Sequence, residues 1–261
     1  MPSLFDPIDL GAIHAKNRIV MAPLTRGRSE GVHVPIAALK AEYYAQRAGA
    51  GLIIAEATGI SQEGSGWPAA PGIWSQDQIL GWARVCDAVH DEGGRIVVQL
   101  MHCGRVVVPA NRGYDADIVG PSSLPCPANV PGPDGNPAAC ARPRALETDE
   151  LPAIAEQFAQ AARNAVAAGM DGVELHCASG YLINQFLNPA SNDRTDAFGG
   201  SVENRIRFPV MVLQALANAI GPDRVGFRIS PGNPYNGMEP ADPADTFIPF
   251  LNAANDFGLA Y

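Results

Sequence analysis

Short apolar runs alternate with longer amphipathic segments along the chain, and this alternation is what most narrows the choice of fold. It is typical of parallel strands joined by crossover helices. The pattern predicts strands at residues 18–22, 52–55, 95–99, 172–175 and 225–229, with the start of a sixth at 258–261. It predicts helices between them, at residues 36–50, 76–92, 152–169, 202–220 and 244–257.

The number of strands is small for the length of the chain. A complete (β/α)8 TIM barrel has roughly 250 residues, and this chain has 261, yet only five strands and the start of a sixth can be counted. We therefore expect an incomplete α/β barrel, with residues 1–261 in a single domain and the C-terminal part of the barrel absent. A five-stranded open sheet with helices on both faces is the alternative, and it would need a reversal of strand order.

Two segments outside this pattern have expected places. Residues 4–14 hold apolar pairs around Asp9, Leu10 and Gly11, which suits a short hairpin that closes the bottom of the barrel. Residues 103–148 follow the third strand and are rich in proline and glycine, and the prolines exclude regular helix. Long excursions after barrel strands commonly cover the active face, so we expect a lid there.

Charge and cysteine content exclude several classes of partner and site. Eighteen Lys and Arg against twenty-seven Asp and Glu give a net charge of −9, which disfavours nucleic acid and anionic membrane surfaces as partners. The five cysteines form no C-x-x-C pair, so we expect free thiols rather than a disulfide framework or a metal–sulfur centre. With no leader-like N-terminus and no run of about 18 apolar residues, the sequence predicts a cytoplasmic protein.

Polar side chains gather where the predicted strands end, which is the functional face of parallel α/β proteins. These ends carry Thr25, Thr58, Gln99, His102, His176, Tyr181 and Arg228. Together they suit a flat ligand with several hydrogen-bonding groups, although any one Gln or Thr alone is more often bonded to backbone groups. An arginine within a strand is expected to be buried, and a buried guanidinium needs an anionic or strongly accepting partner.

Other kinds of site fit the residues less well. His102 and His176 are candidate metal ligands, as in metal-dependent barrel enzymes, but Glu56 is the only carboxylate at the strand ends, so no metal is predicted. His176 and Cys177 are neighbours along a strand and point to opposite faces, which excludes a nucleophilic dyad. Neither a Rossmann fingerprint nor a P-loop motif occurs.

Several long, ordered runs resemble a known family over essentially the whole chain. They are NRIVMAPLTR at 17–26, YYAQR at 43–47, EAT at 56–58, QLMHCGR at 99–105, PRALE at 143–147 and NDRTDAFGGSVENR at 192–205. These runs are similar to those of the Old Yellow Enzyme family of FMN-dependent ene-reductases. The resemblance implies FMN across the barrel mouth, reduced by NADPH or NADH and reoxidised by an activated alkene, an α,β-unsaturated carbonyl or nitro compound. The two substrates use one pocket in turn, in a ping-pong sequence.

The resemblance also implies which residues hold the flavin. Pro23, Leu24 and Thr25 match the first flavin-contacting stretch of the family, and Ala57 and Gln99 match further contacts with the isoalloxazine ring. Arg228 matches the arginine beside the N1 and O2 region of the flavin. A fixed positive charge there would stabilise the anionic reduced flavin.

Other matches imply which residues bind and protonate the substrate. His176 matches the first of two donors to the substrate carbonyl or nitro oxygen, and Tyr181 matches the general acid. The second donor of the family is usually Asn or His, and Ser179 stands in its place. Trp67 and Met101 match the pocket wall. We interpret the charged residues of the run at 192–205 as structural.

Members of the family are longer than this chain, so the resemblance implies that about three strands and their loops are absent, including a phosphate-binding part. We expect a fragment, or the ordered part of a longer protein, whose activity needs the remainder. Its open sheet edge would favour aggregation, or pairing with the missing segment or with another chain, as in a homo-oligomer. Two alternatives to the flavoenzyme stay open, a metal-dependent barrel enzyme and an inactive truncated product with neither flavin nor turnover.

Overall fold

The structure is a computed structural model that describes residues 2–113, 115–238 and 243–261. In these residues the strands are β1 (Ile8–Leu10), β2 (Ile13–Ala15), β3 (Val20–Met21), β4 (Ser29–Glu30), β5 (Val34–Pro35), β6 (Leu52–Gly59), β7 (Ile96–Met101), β8 (Val119–Gly120), β9 (Asn129–Pro131), β10 (Pro137–Ala139), β11 (Arg144–Ala145), β12 (Gly172–Cys177) and β13 (Val225–Ile229). The α-helices are α1 (Ala37–Ala45), α2 (Gln76–Asp91), α3 (Leu151–Ala167), α4 (Leu182–Leu187), α5 (Val202–Arg205), α6 (Arg207–Ile220) and α7 (Pro243–Asn255).

A five-stranded parallel sheet forms the centre of the fold, in the order β13-β12-β7-β6-β3. Strands that follow one another along the chain are therefore neighbours in space, with no reversal of order. That order is the one an incomplete (β/α)8 barrel requires, and it does not fit the open doubly wound alternative. Every residue of β6, β7 and β12 is buried, as expected for parallel strands covered on both faces.

The crossover helices lie side by side against this sheet, where α1 packs on α2 and α3 packs on α6. Their apolar faces enclose the largest core cluster, which includes Trp82, Phe158, Phe208 and Phe250. In the part of the chain that the structure describes, no helix combines the length and apolar character needed to cross a membrane.

The predicted helices and central strands are present, and three of the predictions differ from the structure. The helix expected at 36–50 ends at Ala45, and turns follow it. The single helix expected at 202–220 is divided at Ile206 into α5 and α6, because Pro209 has no N–H to donate to the Arg205 carbonyl. Residues 258–261 are not a strand, but they lie beside β13, where Ala260 N–H donates to the Val225 carbonyl over 2.9 Å.

The N-terminal hairpin occupies its expected position. Strands β1 and β2 pair antiparallel, with Leu10 opposite Ile13. Ile13 packs against Leu52, Ile54 and Val97 in a cluster at the amino-terminal end of the sheet. The hairpin therefore closes the bottom of the barrel.

The excursion at 103–148 crosses the opposite end of the sheet. Its described residues contain the hairpin β9–β10, the parallel pair β8 and β11, and one 3-10 turn at Pro109–Asn111, with no α-helix. The side chains of Val106, Val107, Ile118 and Val130 pack in one cluster with Tyr181. The excursion thus rests on the carboxyl ends of the strands.

The charged run at 192–205 is a hydrogen-bonded loop, in accord with its structural interpretation. The Arg194 guanidinium donates to the Asp196 carboxylate and to the Pro121 carbonyl, the latter over 3.0 Å. Ser201 accepts from the Asn204 N–H as the N-cap of α5. The run connects the excursion to the entry of α5.

Strand β6 carries one extra residue relative to β7, and this bulge sets which side chains face the barrel mouth. Ala55 pairs with Val98 and Ala57 pairs with Gln99, so Glu56 has no partner on β7. The bulge shifts the side-chain alternation of the strand by one position. Ala57 consequently shares a cavity with Gln99.

The main-chain groups of Glu56 find partners outside the β-ladder. Its N–H donates to the Tyr44 hydroxyl over 3.0 Å, and its carbonyl accepts from the Thr58 hydroxyl over 2.8 Å. Both groups are therefore satisfied although the bulge removes them from the sheet.

The carboxylate of Glu56 is fully buried and pairs with the buried ammonium of Lys40 on α1. Burial lowers the pKa of Lys40, and the charge of Glu56 opposes that shift. The second carboxylate oxygen accepts from the Arg26 N–H over 2.9 Å. One carboxylate thus connects α1 and β6 to the segment that follows β3.

Lys40→Met should destabilise the chain by about 3–5 kcal/mol, because it leaves the Glu56 carboxylate buried and unpaired. Urea unfolding would measure the change in free energy. Arg163→Met is the matched control, since it breaks an ion pair with Glu156 whose side chains are exposed, and it should cost less than about 1 kcal/mol. Equal losses in the two variants would contradict the structural role of Lys40.

Candidate active site

The carboxyl ends of the central strands surround a cavity of about 240 Å³. It is lined by Pro23, Thr25, Ala57, Trp67, Gln99, Met101, His176, Ser179, Tyr181, Arg228 and Tyr235. Every residue that the family resemblance assigns to the site lines this cavity except Leu24, whereas the strand-end candidates Thr58 and His102 lie outside it. Residues that are more than 200 positions apart along the chain therefore meet at one place.

Leu24 and Arg228 depart from the sequence expectations. The Leu24 side chain is 53% exposed and lies outside the cavity lining. Its neighbours Pro23 and Thr25 line the cavity, as happens when successive side chains of an extended segment point to opposite sides. Arg228 is exposed rather than buried, because β13 has only one neighbouring strand, and it has no ion pair within the described residues.

Two residues of the site were missed by the sequence analysis. Tyr235 lines the cavity from the loop after β13, and Glu174 lies beneath it on β12. The strand-end rule could have pointed to the loop of Tyr235. Glu174 could have been found from a different signal, because it is a carboxylate inside an apolar strand. It also lies two residues before His176 and therefore on the same face of the strand.

Gln99 is held by a buried carboxyl group. Its Nε2 donates to Glu174 Oε1 over 2.7 Å, and both side chains are buried. Burial raises the pKa of Glu174 to about 7, against the opposing effects of the Gln99 hydrogen bond and the Arg228 charge. The hydrogen bond fixes the amide orientation, so that Gln99 Oε1 is the group left to accept from a ligand.

The proton position on His176 follows from its backbone contact. The Ala178 N–H donates to His176 Nδ1 over 3.3 Å. Burial lowers the pKa of His176 to about 3, and the charge of Arg228 acts in the same direction. A neutral ring that accepts at Nδ1 carries its proton on Nε2. His176 is therefore a neutral hydrogen-bond donor.

Tyr181 stands beside His176, with the two rings 5.0 Å apart between centroids in an edge-on arrangement. The indole Nε1–H of Trp67 donates to the Tyr181 hydroxyl oxygen over 2.7 Å. Burial raises the pKa of Tyr181 well above its usual value. The hydroxyl consequently keeps its proton, and the Trp67 bond leaves that proton free to be donated elsewhere.

The backbone of Ser179 is held in the left-handed region, with φ of +58°. Its N–H donates to the Ser230 hydroxyl over 2.8 Å, and its carbonyl accepts from Asn236 Nδ2 over 2.8 Å. Among non-glycine residues, this backbone conformation favours Asn, Asp and His rather than serine. The turn is therefore fixed by contacts on both sides rather than by the preference of serine.

The donor set fits a flavin ring. Thr25 and Gln99 offer hydrogen-bonding groups, and Arg228 offers a guanidinium with no ion pair in the described chain. Such groups complement the carbonyl and ring nitrogen atoms of an isoalloxazine. The set fits a metal poorly, since the described residues contain no group of three His, Cys, Asp or Glu side chains arranged to hold one. His102 is buried outside the cavity, where its Nδ1 accepts from the Gly104 N–H.

Comparisons with known proteins agree with this fit. Residues 3–257 match the model of the NADH:flavin oxidoreductase / NADH oxidase family. The chain is 45% identical to chanoclavine-I aldehyde reductase fgaOx3 of Penicillium roqueforti, covering 100% of this chain and 69% of that protein. It is 45% identical to a probable flavin mononucleotide-dependent alkene reductase of Leishmania infantum, covering 92% of this chain and 67% of the relative.

A solved structure gives the same result for the fold. The old yellow enzyme homologue from Zymomonas mobilis superposes with a TM-score of 0.95 at 48% identity, covering 99% of this chain and 72% of that one. The resemblance found in the sequence is thus confirmed over the whole chain. The chain spans about 70% of the length of the relatives it matches.

Glu174→Gln should make the unfolding free energy of the flavin-free chain less dependent on pH. Between pH 4.5 and about 7 the folded chain keeps a proton on Glu174 that the unfolded chain loses, so its stabilising contribution is lost as the pH rises. Between pH 5 and pH 8 the wild-type chain should lose about 2–3 kcal/mol more of its unfolding free energy than the variant does. Urea unfolding at the two pH values would measure this difference.

The matched control is Glu203→Gln, which replaces an exposed carboxylate whose pKa is lowered at the start of α5. Its contribution has the opposite sign, because it is lost as the pH falls. A pH dependence unchanged by Glu174→Gln would contradict the account of the buried carboxyl group.

Proposed function

The chain belongs to the NADH:flavin oxidoreductase / NADH oxidase family, and we propose that its cavity is where an activated alkene is reduced with FMN and NAD(P)H. The compounds we propose as substrates are α,β-unsaturated carbonyl or nitro compounds. The single observation that carries the proposal is the meeting of a neutral His176 donor and a protonated Tyr181 at one cavity with Gln99 and Arg228.

The cavity would hold FMN through its polar walls. Gln99 would accept from the pyrimidine edge of the ring through its Oε1, whose orientation is fixed by the hydrogen bond from Nε2 to Glu174. Arg228 would lie at the N1 and O2 side, where its charge favours the anionic reduced ring. Thr25 would contact a ring carbonyl, and Pro23 and Ala57 would pack against the ring. When bound there, FMN would supply the hydride-transfer chemistry between NAD(P)H and the alkene.

The substrate oxygen would be bound by His176 and Ser179. A hydrogen bond from His176 Nε2–H to a carbonyl or nitro oxygen withdraws electron density from the conjugated double bond. The Ser179 hydroxyl is the second donor from the adjacent turn. The β-carbon of the alkene becomes more electrophilic as a result, which favours hydride acceptance there.

Tyr181 would complete the reduction by donating its proton to the α-carbon. A group whose pKa is raised by burial holds the proton until carbanion character develops beside it. The Trp67 N–H, bonded to the same hydroxyl oxygen, stabilises the phenolate that remains. The two substrates would use the cavity in turn, in a ping-pong sequence.

The excursion at 103–148 would serve as the lid of this cavity. Its apolar residues cluster with Ala57, Met101 and Tyr181 of the cavity wall. Met101 and Trp67 form apolar surfaces beside the proton donor. Such a cover excludes water and limits the shape of alkene that fits.

Tyr181→Phe should slow alkene-dependent flavin oxidation by about 100-fold or more, because general acid catalysis contributes that much. Flavin reduction by NADPH should stay within about 2-fold, since no proton from Tyr181 is used there. Stopped-flow absorbance separates the two half-reactions. Tyr43→Phe, outside the cavity, is the matched control. Equal losses in both half-reactions of the Tyr181 variant would remove it from the acid role.

Ser179→Asn should improve alkene turnover, because Asn suits the left-handed backbone and its amide reaches further than a hydroxyl. Ser179→Ala keeps the small size and removes the donor, so it should weaken substrate binding. The KM for the alkene and the limiting rate of flavin oxidation would be measured for both variants. Identical values in wild type, Ser179→Ala and Ser179→Asn would show that residue 179 does not contact the substrate.

A further inference from the structure

The turn between β12 and α4 carries two of the residues proposed to act on the substrate, Ser179 and Tyr181. Its backbone is unusual, because Ser179 and Gly180 both lie in the left-handed region, with φ of +58° and +75°. A non-glycine residue in this region costs free energy and persists only where the surrounding structure fixes it. The groups that hold this turn therefore decide where the donor and the acid lie.

One of these groups is the side chain of Gln185 on α4, which is fully buried. Its Nε2 donates to the Gly180 carbonyl over 2.7 Å and to the Cys103 carbonyl over 3.1 Å. Its Oε1 accepts from the Arg105 N–H over 3.2 Å. Only one orientation of the amide makes all three bonds, because a carbonyl needs a donor and an N–H needs an acceptor. The peptide that joins Gly180 to Tyr181 is therefore fixed from inside the protein.

The other group is the side chain of Asn236, which is buried in the loop after β13. Its Nδ2 donates to the Ser179 carbonyl over 2.8 Å. Asn236 is itself in the left-handed region, with φ of +59°. A Cβ atom on Gly180 would lie 2.6 Å from the Asn236 Cβ, so the loop and the turn pack with no room for a side chain at position 180. Two consecutive peptides of the turn are thus each bonded to a different buried amide.

Arg105, near the start of the excursion at 103–148, contacts both of these residues. Its main-chain N–H donates to the Gln185 side chain. Its buried guanidinium donates to the main-chain carbonyls of Asn236 and Gly237 over 3.4 and 3.3 Å. The base of the excursion and the loop after β13 therefore reach the turn through one hydrogen-bonded network.

We propose that Gln185 and Asn236 are positioning residues, which hold Ser179 and Tyr181 at the places where the substrate oxygen and α-carbon would lie. The inference rests on the proposed function, which gives Ser179 and Tyr181 their roles. Gln185 and Asn236 lie outside the cavity lining, so each acts through the turn and not by contact with the substrate. A displacement of about 1 Å at a reacting group can slow a reaction by about 100-fold, so a small movement of the turn is enough.

The indole Nε1–H of Trp67 reports on Tyr181 without flavin or turnover, because it donates to the Tyr181 hydroxyl over 2.7 Å. In the chain labelled with ¹⁵N-tryptophan, Tyr181→Phe removes the acceptor and gives the position of the unbonded indole signal. Gln185→Met keeps the length of the side chain and removes the amide. Asn236→Gly removes the other amide and still adopts the left-handed backbone. Both variants should move the Trp67 signal toward its position in Tyr181→Phe.

Two controls separate this shift from a general loss of packing. Gln78→Met is the matched control, since Gln78 is also fully buried and its amide bonds main-chain groups at the start of α2. It should leave the Trp67 signal in place. The Trp82 indole donates to a main-chain carbonyl far from the turn in sequence, and its signal should not move in Gln185→Met or Asn236→Gly.

The tryptophan signals decide the proposal even if Gln185→Met does not fold, because Asn236→Gly leaves no new side chain to bury. A Trp67 signal that stays in place in either variant that folds, or in Tyr181→Phe, would overturn the proposal. An equal shift in Gln78→Met would overturn it as well.

A double-mutant comparison of alkene-dependent flavin oxidation tests whether Gln185 acts through Tyr181. Gln185→Met alone should slow this half-reaction by about 10-fold or more. In the Tyr181→Phe background it should cost less than about a further 2-fold, because the residue it positions has already lost its proton donor. Asn236→Gly and Ser179→Ala should be non-additive in the same way for the alkene KM. Losses that multiply in both pairs would overturn the positioning roles.

Failure of the proposed function would look different. A flavin-loaded wild-type chain that reduces no alkene would contradict the proposed function, while the Trp67 signal of the flavin-free variants would still show whether the two amides hold the turn.

Discussion

The buried carboxylate of Glu56 is the interaction on which the geometry of the site depends. It exists because β6 has one more residue than β7 over the same length, and the extra residue turns its side chain toward Lys40 of α1. That bulge brings Ala57 to the same cavity as Gln99. The carboxylate also accepts from the Arg26 N–H, which positions the segment carrying Thr25. A loss of this pairing would affect two walls of the cavity at once, the one formed by β6 and the one formed by the segment after β3.

The ionisable groups around the cavity are arranged to present one exposed cation and several neutral donors. Burial keeps His176 neutral and Tyr181 protonated, and it raises the pKa of Glu174 to about 7. Arg228, on the edge strand, stays exposed and has no ion pair in the described residues. A flavin ring that becomes anionic on reduction would pair with the charge of Arg228, and the neutral residues of the cavity would supply its hydrogen bonds. The same physical effect, loss of hydration, therefore sets the roles proposed for most of these residues.

Much of this arrangement could be predicted from the sequence because it depends on local signals. Each strand is a short apolar run, and the rule that function collects at the carboxyl ends of parallel strands located Gln99, His176 and Arg228. The division of the helix at Ile206 was missed, although Pro209 carried its signal. The bulge at Glu56 and the exposure of Arg228 had no local signal, since both depend on which strands lie beside them.

Binding of the flavin ring is the most direct test of the central claim, which is that this cavity accepts an isoalloxazine. Lumiflavin carries the ring without the ribityl phosphate, so it reports on the described cavity alone. Titration of the chain with lumiflavin and with FMN, followed by flavin fluorescence, should give saturable binding of both, weakened by Gln99→Leu and by Arg228→Leu. No saturable binding of either compound, or binding that both variants leave unchanged, would contradict the account.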